Sequence, residues 1–126
     1  MTYQIKECNT PPRFQLITDD QALLDVCEQA RTQSAVALDT EFVRVRTLYP
    51  KLGLIQLYAG DEVALIDPTT IQDFSPFIAL LADESVLKVL HACGEDLEVF
   101  QHYFAQLPQP MCDTQVMANF LGFAGS

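Results

Sequence analysis

An α/β fold, a mixed sheet with helices packed against it, is what the order of periodicities along this sequence predicts. A helical pattern comes first, with Ala22, Leu23, Val26, Cys27 and Ala30 on one face. Three extended apolar runs follow, and the short turn Ala59-Gly60-Asp61 between the last two makes that pair an antiparallel hairpin. Helical and extended segments then alternate, the order that yields parallel strands. With 49% hydrophobic residues in 126, the chain has enough apolar surface for one core and is read as one domain, residues 1–126.

Taken in order, residues 1–13 form an irregular lead-in containing Asn9, Thr10, Pro11 and Pro12, and Phe14-Gln15-Leu16-Ile17 is a short extended piece. Thr18, Asp19 and Asp20 offer an N-cap for a helix to about Arg31. Strands are expected over Ala35–Phe42, Leu52–Tyr58 and Val63–Asp67. A helix over Phe74–Leu81 carries Pro76 in its first turn, where proline is tolerated. Lys88–His91 is a short strand, and helix resumes from Gly94 to about Phe104. Leu107-Pro108-Gln109-Pro110 breaks that helix, and Asp113 or Thr114 starts another.

Seventeen acidic against seven basic residues, a formal charge of -10, argue against nonspecific binding of a nucleic-acid backbone over the whole surface. Phosphate contacts must therefore be local or bridged by metal. Arg44, Arg46 and Lys51 follow closely on Glu41, which reads either as a phosphate clamp or as solvated loop charge. Four cysteines without a Cys-x-x-Cys pair suggest neither a zinc ribbon nor a redox motif, and buried reduced thiols are expected. No signal peptide is visible and no apolar run approaches the roughly 20 residues that span a bilayer, so a soluble cytoplasmic protein without membrane contact is expected.

The chemistry concentrates at Asp39-Thr40-Glu41. Alternating strand side chains put both carboxylates on one face, at the end of the apolar run Ala35-Val36-Ala37-Leu38. Unpaired carboxylates are costly to bury, and a divalent cation is the obvious partner. A second acidic group, Glu95, Asp96 and Glu98, opens the helix that begins near Gly94. At roughly 100° per residue, Asp96 shares a sector with Leu97, Phe100, Tyr103 and Phe104, whereas Glu95 and Glu98 do not. Asp96 is then either a third ligand or a local cap. Oxygen-only donors suit Mg²⁺ or Mn²⁺ rather than zinc. Two such ions about 3.5 to 4 Å apart activate water against a phosphodiester.

These residues carry a resemblance. Asp39-Thr40-Glu41-Phe42, Gly53-Leu54-Ile55-Gln56-Leu57, Lys88-Val89-Leu90-His91 leading to Asp96-Leu97-Glu98, and Asp113-Thr114-Gln115 together resemble the N-terminal part of a ribonuclease D exonuclease domain. The likeness runs from about Gln15 onward. It implies a ribonuclease H-like fold of the DEDD group of 3′–5′ exonucleases, similar to the proofreading domain of DNA polymerase I. Asp39 and Glu41 would be the first motif and Asp96 the acid of the second, as catalytic residues and ligands of two ions. The implied reaction trims RNA 3′ ends one nucleotide at a time, as in transfer RNA precursors.

The family's third motif, a tyrosine followed four residues later by aspartate, is not found. Tyr103 does not supply it, because Leu107 stands in the required position. A C-terminally incomplete domain, weak or inactive alone, is therefore expected. Phe42, Arg44, Arg46, Lys88 and His91 are candidate substrate contacts, against structural roles for the strand-end pair and core packing for Phe42. Gln56 is read as an internally satisfied polar group, and Asp113 as the cap of its helix. A DNA-directed proofreading exonuclease and a noncatalytic interaction module on the same fold are the competing readings. The retained acids speak against the module.

Overall fold

The computed structural model describes residues 13–43 and 51–122. Its elements are β1 (Arg13–Ile17), α1 (Asp20–Ala30), β2 (Ala35–Val43), β3 (Lys51–Ala59), β4 (Glu62–Ile66), a 3-10 turn (Pro68–Thr70), α2 (Ser75–Ala82), β5 (Leu87–Leu90), α3 (Gly94–Phe104), β6 (Met111–Asp113) and α4 (Thr114–Phe120). The strands form one sheet in the order β1-β4-β3-β2-β5-β6. β3 runs antiparallel to both of its neighbours, β2 and β4, with the β3–β4 hairpin as expected, and β5 and β6 add in parallel on the β2 side.

Local chemistry explains most boundaries. Asp19 caps α1 by accepting the Ala22 N–H at 2.7 Å. Gly60 takes φ 64° in the tight β3–β4 turn, a left-handed conformation that glycine adopts without the Cβ penalty. Two details differ from expectation. Arg13 belongs to β1 rather than to the lead-in, because its N–H bonds the Asp61 carbonyl and it pairs with Glu62. The rest of the lead-in lies outside the described residues. The segment after Pro110 forms β6 before α4 begins, and its three residues are too few for alternation to reveal a strand.

The sheet has two unlike faces. Val36, Leu38, Ile55, Leu57, Ile66 and Leu90 point to one of them, where α1, α2 and α3 bury Leu23, Val26, Phe77, Leu80, Val99 and Phe100. Phe74 and Phe77 lie 5.0 and 5.3 Å from Phe104 between ring centroids, an aromatic cluster that locks α2 to α3. The other face carries the cross-strand rows Leu16–Leu65–Gln56–Asp39 and Phe14–Val63–Tyr58–Ala37. On it Phe14 and Leu16 remain 64% and 68% exposed. No helix among the described residues is long and apolar enough to cross a membrane.

Candidate active site

β2 is longer than its parallel neighbour. The β2–β5 pairing ends at Ala37 opposite Val89, and beyond Leu90 the chain turns away through His91-Ala92-Cys93 into α3. Crevices outside the carboxyl ends of parallel strands are where open α/β sheets bind ligands. Here the departure of β5 leaves a shallow cleft of about 340 Å³ lined by Asp39, Leu38, Tyr58, His91 and Thr114.

Asp39 and Glu41 are exposed on the open face, while Leu38 and Thr40 between them are buried. Strand alternation therefore holds as predicted. Asp96 is 6% exposed, on the core side of α3, as its helical phase required. Tyr103 lies at the margin of the sector, with its hydroxyl accepting the Leu52 N–H at 3.1 Å, and Val99 is fully buried instead. The Thr40 hydroxyl donates to Asp96 Oδ1. Burial raises the Asp96 pKa above the ordinary carboxylate value, the Thr40 bond opposes the rise, and the negative charge of Asp39 adds to it.

The expected three-acid cluster is not assembled. Among the described residues no group of three His, Cys, Asp or Glu side chains could hold a metal ion. Asp39 and Glu41 are exposed along β2, whereas buried Asp96 is held by the Thr40 hydroxyl between them and feels the charge of Asp39. The donor chemistry nonetheless fits a hard divalent cation, since all three groups offer carboxylate oxygen. A cation beside Asp96 would also offset the burial and repulsion that raise its pKa.

His91 is exposed at the cleft, and its Nδ1 lies 2.8 Å from Thr114 Oγ1. Thr114 in turn donates to the Leu90 carbonyl at 3.3 Å. That chain assigns the ring proton to Nδ1 and leaves Nε2 as the acceptor of the neutral ring. Phe42 is half-buried against the core. Gln56, directly across from Asp39, accepts the Tyr58 hydroxyl at 2.6 Å, the internal satisfaction expected of it. Arg44 and Arg46 lie outside the described residues.

Lys88 requires a correction. Its side chain is fully buried on the helix-covered face, and Nζ donates to the Asp83 carbonyl and, at 3.0 Å, to the Gln109 carbonyl. An ammonium committed to two internal carbonyls is structural and does not reach the cleft. Sequence reasoning also missed Thr40, although a hydroxyl at an apolar strand position is a signal that a buried partner exists.

This arrangement has known relatives. The chain belongs to the 3′–5′ exonuclease family, whose sequence profile matches residues 14–126. Within it, the chain is similar to ribonuclease D. The Haemophilus influenzae ribonuclease D is 64% identical over 122 residues, a match covering 97% of this chain and 31% of the relative. The crystal structure of Escherichia coli RNase D, described as an exoribonuclease involved in structured RNA processing, superposes with a TM-score of 0.86 at 56% identity, over 89% of this chain and 30% of that one. The catalytic core of RRP6 from Trypanosoma brucei gives a TM-score of 0.86 at 16% identity, over 96% of this chain and 34% of that one, a likeness of fold. The chain thus spans about 30% of the relatives it matches.

Proposed function

We propose that the protein is a 3′–5′ exoribonuclease that removes nucleotides from RNA 3′ ends, with transfer RNA precursors as a substrate class. Asp39, Glu41 and Asp96 are its catalytic carboxylates and would hold Mg²⁺ or Mn²⁺, two ions in the complete site. Such ions, when bound, supply an activated water and stabilise the leaving oxygen. The observation that carries the reading is the acid pair on β2, beside the crevice where β5 departs, in a chain of the 3′–5′ exonuclease family.

The chain's own groups divide the remaining work. Asp39 and Glu41 offer oxygens at the solvent-facing side of β2, and Thr40 holds Asp96 behind them. His91, with Nδ1 occupied by Thr114, turns Nε2, an acceptor, to a sugar hydroxyl of the terminal nucleotide. Arg44 and Arg46 serve as phosphate contacts in this reading, and Phe42 flanks the acids. A cytoplasmic location goes with it. The 126 residues contain no Tyr-x-x-x-Asp sequence, so this chain alone is expected to trim weakly or not at all.

Labelled RNA and DNA oligonucleotides incubated with the full-length protein, with and without chelator, test the proposal. A ladder of shortened RNA that disappears in chelator is expected. A ladder unchanged in chelator overturns the metal-dependent mechanism, and trimming of DNA in preference to RNA favours the proofreading-type activity.

A further inference from the structure

Asp113 does more than cap α4. Its Oδ1 accepts from the Gln115 N–H at 2.8 Å and the Val116 N–H at 3.4 Å, as an N-cap does. The same oxygen accepts the Ala92 N–H at 3.0 Å, and Oδ2 accepts the Cys93 N–H at 2.9 Å. Both of those donors belong to the bend between β5 and α3. Ala92 sits there at φ 52°, a left-handed conformation that costs a residue with a Cβ about 1 kcal/mol. Cys93 is the N-cap residue of α3 but makes no side-chain cap bond. Its carbonyl accepts the Leu97 N–H at 2.8 Å and so begins the helix. Asp96 follows three residues later, within that first turn.

We propose that Asp113 is a positioning residue for Asp96: one carboxylate holds the left-handed Ala92 and the N–H of Cys93, the N-cap of α3, and thereby sets where Asp96 meets Thr40. The inference rests on the exonuclease reading for its catalytic consequence. Its structural half is independent, because it concerns only where Asp96 stands. β6 gains a purpose from it: pairing Leu90 with Asp113 brings the carboxylate alongside the bend.

The two oxygens allow the roles to be separated. In Asp113→Asn the retained oxygen can still serve Ala92, Gln115 and Val116, while the amide NH₂ confronts the Cys93 N–H, donor against donor. In the full-length protein, with aspartate carboxyls labelled for NMR, this variant should shift the Asp96 resonance and speed exchange of the Cys93 amide. Turnover on RNA should fall by about 10- to 100-fold, the range typical of groups that orient metal ligands. KM should stay within about twofold, a split that general loss of folded protein does not produce. Adding Ala92→Gly, which relieves the left-handed strain, should recover kcat at least about threefold and serves as the readout if the single variant does not fold. An Asp96 resonance and kcat unchanged in both variants overturn the proposal. A shifted Asp96 resonance in a protein whose wild type shows no metal-dependent trimming supports the positioning and sinks the exonuclease reading.

Discussion

The Thr40 hydroxyl donates to the Asp96 carboxylate, joining the middle of β2 to the first turn of α3 across 56 positions of sequence. One strand thus serves two purposes. Its odd-numbered acids face solvent, and the hydroxyl between them holds a third acid in the interior.

Thr40→Val keeps the shape of the side chain and removes the donor, leaving a buried carboxylate short of one bond. A loss of about 1–3 kcal/mol is expected in urea denaturation. Thr40→Ser, which keeps the hydroxyl, should recover most of it, and stability equal to wild type in the valine variant would show the bond to be dispensable.

Asp96→Asn should separate stability from function. Burial and the nearby Asp39 disfavour the charged carboxylate, whereas a neutral amide can still accept from Thr40. In metal-free buffer the variant should melt at a higher temperature than wild type by calorimetry. Its RNA trimming should nonetheless fall by more than about 100-fold.

Lys88→Met tests the structural assignment of that lysine. The apolar stem is replaced in kind, but the Asp83 and Gln109 carbonyls lose their shared donor. Destabilisation of about 1–3 kcal/mol is expected, with KM for RNA unchanged in the full-length enzyme. A raised KM at unchanged stability would restore Lys88 to the substrate.

Acid sensitivity should trace in part to Asp113 and Asp83. The Cys93 N–H, then its thiol, with Ala92 and Gln115, hold Asp113 well below the usual carboxylate range; Ser85 and Arg31 do the same for Asp83. A depressed folded pKa means stability that is present above the unfolded value of about 3.9 and lost as pH falls toward the folded one. Unfolding monitored by circular dichroism between pH 5 and pH 2 should therefore show a shallower acid limb in Asp113→Asn than in wild type, where the pH bounds are about those of carboxylate titration.

Cys27 and Cys93 should resist alkylation. Burial pushes the Cys27 thiol up to about 12, and burial with the adjoining Asp113 carboxylate pushes Cys93 up to about 11. At about pH 8 little thiolate forms at either, so mass spectrometry after brief iodoacetamide treatment should find both largely unmodified. Rapid labelling of Cys27 would mean that α1 opens readily.

Most of the architecture was legible because it rests on local pattern. Alternation put Asp39 and Glu41 on one face, and helical phase separated buried Asp96 from exposed Glu95 and Glu98. The turn at Gly60 announced the hairpin, and Asp19 the start of α1. What escaped depends on contacts distant in sequence. Nothing near Lys88 announces that Gln109 will receive its ammonium 21 positions later, and Ala92 carries no side-chain mark of its left-handed backbone. The Thr40–Asp96 bond was likewise invisible, because phase tells which way a side chain points but not which strand residue it meets.

The division of β2 between its two faces makes that strand intolerant of a particular kind of genetic change. Loss of a single codon within Ala35–Leu38 would slide the following residues by one place relative to β3. Thr40 would then turn to solvent, and Asp39 and Glu41 would be driven against the aliphatic interior. Point substitutions along the strand can vary by degree, but its length is all or nothing.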